Sequence, residues 1–562
     1  MKRRVLAPFV GAGIAAIVTA AAADSRSSGP SPTNVPTPNP KAAGYAPAPR
    51  LSPELRQLIQ AQGSTALENP AGIVGWYGYE NDTPSPDDAR LPQMVPGTRA
   101  TPTEAQKTEP DKNTYLVLKD QKGADPLYDY GTHFLFQGHE ASAADAAGKR
   151  LGYITRINLD ADSAHRVTLM ATHDRTGATL ANIDGSTWDP FAQRLLFTTE
   201  NANAPTYAAT ATFPSEVEDV SGALGRGGYE GIQNDSDGNI WIVEDIGGPN
   251  KAGTTARQPN SFIYRYVPRR PGDLHDGKLQ VLQVLNDAGQ PVTFESQAAL
   301  CAPDQVALRT FGKTFRTSWV TIHDTAVQGT APFNANLAAK AAHGTPFKRP
   351  ENGVFRPGTG FGEFFFDETG DTNATSPENG GGAPGTCAAG GWTSLFKLVQ
   401  PGPSANQGSL SLLFEGSMAV AGLDNVQFLS RNLLLAVEDA GDTLHTQRKA
   451  LDSGYIWDVT KDYSTGLQPV RWLAEGRDPS ATLDSATGGF GKNEGDNEIT
   501  GAHVSNGDPS PEGLLGAQIP NLWNSSGKWR WFYTQQHGDN FTWQVVLASQ
   551  AHGESDQGEN EG

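Results

Sequence analysis

Cysteine is scarce: only Cys301 and Cys387 occur in 562 residues. That excludes a four-thiolate metal site and leaves room for a single disulfide in an oxidising compartment, with the pairing open. Positive charge is also short, 43 Lys and Arg against 62 Asp and Glu, a net charge of -19. A balance of that sign argues against nucleic acid or an anionic membrane as partner and leaves room for bound cations. No Gly-x-Ser-x-Gly elbow stands between a strand and a helix, and no Gly-rich nucleotide loop is present. Serine-hydrolase and nucleotide-loop chemistry are therefore not indicated.

The ends differ in composition from the body. Lys2, Arg3 and Arg4 precede an apolar, Ala-rich stretch over 5–22, which reads as an export signal cleaved after Ala23, by either the twin-arginine or the general secretory route. The expected location is secreted or periplasmic, in a bacterium, with no membrane span in the mature chain. Residues 24–50 are rich in Ser, Pro and Ala and are expected to form a disordered tether, and the acidic stretch 552–562 a disordered tail. Residues 51–551 are expected to be one domain, with 370–391 as a long surface insertion.

That body carries 11 Trp, 14 Tyr and 23 Phe, enough to fill a large core. Residues 133–140, 195–200, 240–245, 364–371, 433–439 and 531–539 each run from apolar, strand-like positions into an acid or an acid-flanked polar cluster. Most are followed by a second run that alternates with period two, at 152–157, 262–266, 395–398, 455–458 and 542–545. Turn-forming residues introduce the copies, as at 234–238 and 356–360. Repetition of this kind predicts an all-β fold, a β-propeller of about six blades with long inter-strand insertions. Only a segment near 52–61 reads as helix.

Acids placed at the same end of each repeat gather at one mouth. Arg349 and Glu351 flank a proline and, in extended backbone, project to one side, where Arg349 can fork onto a phosphate and Glu351 can bind a metal. Glu230 precedes the hairpin that leads to Glu244 and Asp245. Asp424 likewise precedes the one that leads to Glu438 and Asp439, and Glu498 with residues 535–539 offers a closing group. Hard oxygen donors in such numbers suit Ca²⁺. His139 and Glu140 fall near the expected channel without an assigned role.

At these residues the chain resembles the PhoX-type secreted alkaline phosphatases. The resemblance rests on Arg349-Pro350-Glu351, on Gly225 to Glu230, on Asp424-Asn425 with Glu438-Asp439, and on Glu498 to Gly501 with Gln536 to Gly538, in the family's order. It implies a propeller that holds iron and calcium and hydrolyses small phosphate monoesters, with Arg349 as phosphate clamp. Glu230, Glu351, Asp424 and Glu498 are implied as metal ligands, with Glu200, Glu244, Glu438 and Asp439 as further candidates. Thr199 stands where the family has an iron-binding cysteine, and Tyr229 where it has a histidine. A hydroxyl is a poor substitute for thiolate, which speaks for calcium and against iron. A monomer is expected. The alternatives are a calcium-binding propeller with phytase-like, esterase or lactonase activity, and a non-catalytic binding propeller.

Overall fold

The computed structural model describes residues 32–42, 45–69, 74–79, 108–141, 143–144, 149–294, 302–376, 391–477, 498–523, 527–536 and 540–549. The expected export signal, the acidic tail, both cysteines, His537 and most of the 370–391 insertion lie outside them. Among the described residues, no helix is long and apolar enough to cross a membrane.

The strands form six successive antiparallel units, each beginning at its inner strand. Unit I comprises Pro110–Val117, His133–His139, Ile154–Asn158 and Val167–Ala171. Unit II is Ser186–Asp189, Arg194–Phe197, Tyr207–Ala209 and Val217–Asp219. Unit III is Tyr229–Asn234, Ile240–Glu244, Ile263–Pro268 and Gly277–Leu285. Unit IV is Gly353–Phe355, Glu363–Glu368, Ser394–Val399 and Gln407–Glu415. Unit V is Leu423–Phe428, Leu433–Glu438, Ser453–Asp458 and Val470–Ala474. Unit VI has Glu498–Ser505, Arg530–Gln536 and Phe541–Leu547 from the end of the chain, and takes its fourth strand, Leu55–Ala61, from the beginning.

Each inner strand touches the next, and the inner strand of unit VI returns to that of unit I, so the units close into a propeller-like ring. A further strand, Thr314–Asp324, pairs with the outer strands of both unit III and unit IV, joins the two units into one nine-stranded sheet and covers two edges. Aromatic side chains fill the wedges between units. Trp241 meets Phe355 and Phe364 between units III and IV, and Trp472 packs on Trp531 between V and VI at 4.4 Å. Each such buried ring contributes on the order of 2–3 kcal/mol.

Two expectations fail at the N-terminus. Residues 52–61 do not form a helix: Leu55–Ala61 is a strand that pairs antiparallel with Phe541–Leu547. Its apolar spacing suits either state, and a distant partner strand decides. The 24–50 tether is ordered from residue 32, apart from the two undescribed positions 43 and 44. Val35 and Asn39 are buried, Asn39 Nδ2 donates to the carbonyls of Ala48 and Glu475 at 2.9 Å, and Arg50–Leu51 adds to the edge of unit V. Such a segment needs no core of its own, because its backbone groups are satisfied along an existing sheet edge.

Candidate metal centre

The inner strands share one irregularity. In unit III the register shifts between Tyr229 and Ile232, in unit V between Leu423 and Val426, and in unit I between Pro110 and Asn113. In unit II, Asp184 N donates to Thr198 O while Thr198 N donates to Gly185 O, so two residues oppose one. In unit IV, Glu351 falls between the ladder bonds Thr369 N to Arg349 O and Asp367 N to Asn352 O. These are β-bulges, which re-aim the bulged side chain. The first bulged residue is an acid five times over: Asp111, Asp184, Glu230, Glu351 and Asp424. In unit VI the shift lies between Thr500 and His503, over Gly501 and Ala502, and the acid there is Glu498, three residues before Gly501.

The second bulged residue seals one unit to the next. Gly231 N donates to Glu351 O at 2.8 Å, and a Cβ on Gly185 would stand 1.9 Å from Glu230 O. Between units I and VI, Asn113 Nδ2 donates to Gly501 O at 2.6 Å. Lys112, at this position in unit I, is fully buried and reaches across the ring, donating to Asn352 Oδ1 at 2.9 Å and Asn425 Oδ1 at 2.7 Å.

Just beyond the second strand, units I to V supply a further group: Glu140, Asp245, Thr369 and Asp439 one residue past the strand end, and Glu200 three residues past Phe197. With the bulge acids they form three overlapping sets, each with ligand oxygens within 4.8 Å of one another: Glu140, Asp184, Glu200 and Glu230; Glu200, Asp245 and Glu351; and Glu230, Glu351 and Asp424. Of the residues expected from sequence, Glu200, Glu230, Glu351 and Asp424 thus come together. Asp439 and Glu498 lie side by side next to Asp424.

Arg349 joins the cluster. Its Nη2 lies 2.9 Å from Asp245 and 3.3 Å from Glu351. It adopts φ +53°, in the left-handed region that costs a non-glycine residue about 1–3 kcal/mol.

Glu244 and Glu438 do not join it. Successive strand residues point to opposite sides, so both turn into the sheet layers. Glu244 accepts from Tyr264 at 2.9 Å and from Asn336 Nδ2 at 3.1 Å, and Glu438 pairs with Arg448 at 3.0 Å. Thr199 has the same parity, and its hydroxyl donates to Pro205 O. Sequence reasoning missed Asp111, Asp184 and Lys112 and gave no ligand role to Glu140 or Asp245. The usable signal was an acid followed by a small or amide residue ahead of each hairpin, as in Asp184-Gly185, Glu230-Gly231, Glu351-Asn352 and Asp424-Asn425.

Burial, reinforced by neighbouring carboxylates, pushes Glu140, Asp184, Glu230, Glu351, Asp424 and Glu498 well above the usual carboxylate range. Neither oxygen of Asp184, nor Asp424 Oδ2, has a hydrogen-bond donor among the described residues. Asp184 faces the Glu230 carboxyl, a pairing that needs a proton or a cation between them. Buried oxygens in this state, in an all-carboxylate set, fit a hard divalent cation such as Ca²⁺. The sets include no thiolate or imidazole among the described residues, so the donors do not select a soft transition metal. A cleft of about 360 Å³ lined by Glu140, Asn182, Asp184, Glu200 and Asn201 leads to the cluster from units I and II.

No protein-family model and no curated protein matches this sequence. The fold is similar to that of a solved structure. That structure is Pseudomonas fluorescens PhoX in complex with vanadate, a transition state analogue, with TM-score 0.51 and 10% identity over 92% of this chain and 98% of that one. Lower similarity extends to the Pseudomonas aeruginosa periplasmic gluconolactonase PpgL, TM-score 0.29 and 11% identity over 88% of this chain and 99% of that one. A fungal alcohol oxidase in complex with copper gives TM-score 0.33 and 11% identity over 78% and 74%.

Proposed function

We propose that this chain is a secreted, metal-dependent phosphatase: a six-bladed β-propeller, one unit to a blade, whose mouth carboxylates hold calcium and whose Arg349 receives the phosphoryl group of small phosphate monoesters. The observation that carries the reading is the joining of Arg349 to Asp245 and Glu351 inside the carboxylate cluster. The likeness in fold to PhoX agrees with it. Glu140, Asp184, Glu200, Glu230, Glu351 and Asp424 would hold the ions. When bound, divalent cations neutralise a phosphate and lower the pKa of coordinated water.

The chain's own groups supply the rest. Arg349 sets a fixed guanidinium beside the place where negative charge develops on the phosphoryl oxygens, and its held geometry needs no rearrangement during reaction. The Thr369 hydroxyl lies within hydrogen-bond distance of both the Glu351 carboxyl group and Leu423 O, the latter at 2.7 Å, and donates its one proton to one or the other, so it links Glu351 of unit IV to unit V. Lys112 supplies positive charge at the inner end of the acids. The iron implied by the family resemblance has no thiolate among the described residues, and Thr199 stands at the position where the family has its cysteine.

The test is metal content together with hydrolysis of a chromogenic phosphomonoester, for the wild type, Arg349→Ala and Glu351→Ala. Bound calcium with turnover lost in both variants supports the reading. Bound calcium without turnover of any phosphomonoester in the wild type leaves the lactonase, esterase or binding propeller in its place.

A further inference from the structure

A second arginine stands at the mouth. Arg257 belongs to the loop between the second and third strands of unit III, on the side where Asp245 and Arg349 meet. Its position is fixed by backbone bonds: Arg257 N donates to Asp371 Oδ1 at 2.8 Å, Lys251 N to Ala256 O at 2.8 Å, and Gln258 N to Pro249 O at 3.1 Å. Its side chain lies over Gly247. A Cβ at Gly247 would stand 2.6 Å from Arg257 Nη1 and 3.9 Å from Arg349 Cδ, so a bare glycine backbone separates the two arginine side chains.

The two arginines differ in their commitments. Arg349 is engaged by Asp245 and Glu351. The Arg257 guanidinium makes no hydrogen bond or ion pair with a described residue, is partly solvent-exposed, and is held below its ordinary pKa by burial and by the neighbouring Arg349 charge. A half-buried guanidinium beside a like charge is stabilised by an anion that both can reach. The acids nearest to it are occupied: Asp245 by Arg349, and Asp371 by the Lys348 ammonium at 3.3 Å and by the Arg257 backbone.

Resting on the phosphatase reading, we infer that Arg257 is a second guanidinium contact for a phosphoryl oxyanion at this mouth, a substrate-positioning residue outside the metal cluster. The anion it meets is either the reacting phosphoryl group or a second anionic group adjacent to it, as in a diphosphate. The two sources share one chemistry and separate in one experiment.

Calcium-loaded wild type, Arg257→Gln and Arg257→Lys are titrated calorimetrically with inorganic phosphate and with pyrophosphate. Loss of a charge-assisted, forked hydrogen bond predicts that Arg257→Gln weakens binding by about 10- to 100-fold, with Arg257→Lys in between. Weakening of both anions assigns the contact to the reacting phosphoryl group, and weakening of pyrophosphate alone assigns it to the second group. In turnover the same variant raises KM and leaves kcat near its wild-type value. Variants that bind both anions as the wild type does overturn the inference alone, whereas a wild type that binds neither anion overturns the phosphatase reading with it.

Discussion

Replacing Lys112 by methionine keeps the length of the buried stem and removes its charge. The Nζ donates to Asn352 and Asn425 on the far side of the ring, and Asp111, Glu230, Asp367 and Asp424 lie close enough to act on it electrostatically. Burial holds its pKa below the ordinary lysine value, and those carboxylates oppose the shift by favouring the ammonium. Without it two buried amide oxygens lose a donor and the acids lose their internal counter-charge. Breaking a buried ionic network in this way costs about 3–5 kcal/mol, and the near-isosteric methionine adds little for lost packing. The assay is denaturant unfolding followed by tryptophan fluorescence, first in chelator and then in saturating calcium. The variant is expected to lose that amount in chelator and to recover part of it in calcium, because divalent charge then neutralises the same acids. Equal unfolding midpoints for the two proteins in chelator would refute the assignment of Lys112 as internal counter-cation.

Three further outcomes are expected. Because burial raises the pKa of Glu140, Asp184, Glu230 and Glu351 well above the usual carboxylate range, calcium binding at a pH just above that range should release protons, seen as binding heats that change with the ionisation enthalpy of the buffer. Heats independent of buffer would contradict that protonation. Glu244→Gln and Glu438→Gln should leave calcium stoichiometry unchanged by elemental analysis, whereas Glu230→Gln and Asp424→Asn should lower it. Glu475, buried on unit V, has its pKa pushed up to about 8 by burial. The folded state therefore keeps a proton that the unfolded state has lost, and stability falls as pH rises from about 4.5 towards 8. Glu475→Gln removes that loss, worth about 4 kcal/mol between pH 5 and pH 8. The variant's advantage in unfolding midpoint should grow with pH, and a constant difference would count against the assignment.

The strands were legible because short apolar runs such as Leu433–Glu438 and Ile240–Glu244 recur and are followed by runs of period-two alternation such as 262–266. That acids collect where these strands end was legible for the same reason. Which of two adjacent acids faces the mouth was not: Glu244 and Asp245 look alike in sequence, and pleat parity combined with a bulge of one residue decides between them. Lys112 was hidden because a single lysine in a strand ordinarily points to water, and its partners lie in units IV and V, more than 200 residues away. The N-terminal segment was misread because its stabilising contacts are with residues at the other end of the chain, which composition over 24–50 does not reveal.

The pairing of Leu55–Ala61 with Phe541–Leu547 bears on how the carboxylate cluster comes into being. It is a clasp made from the two ends of the described chain, and the acids it brings into register are spread from Asp111 to Glu498. In the unfolded chain these like charges are far apart and cost nothing. Bringing them together as the ring shuts costs either their mutual repulsion or the uptake of protons that neutralise them, so the clasp works against an electrostatic spring that cation binding relaxes. Opening of this one strand pair and departure of the ions are two views of the same event, which makes the rate of metal loss a readout of ring opening.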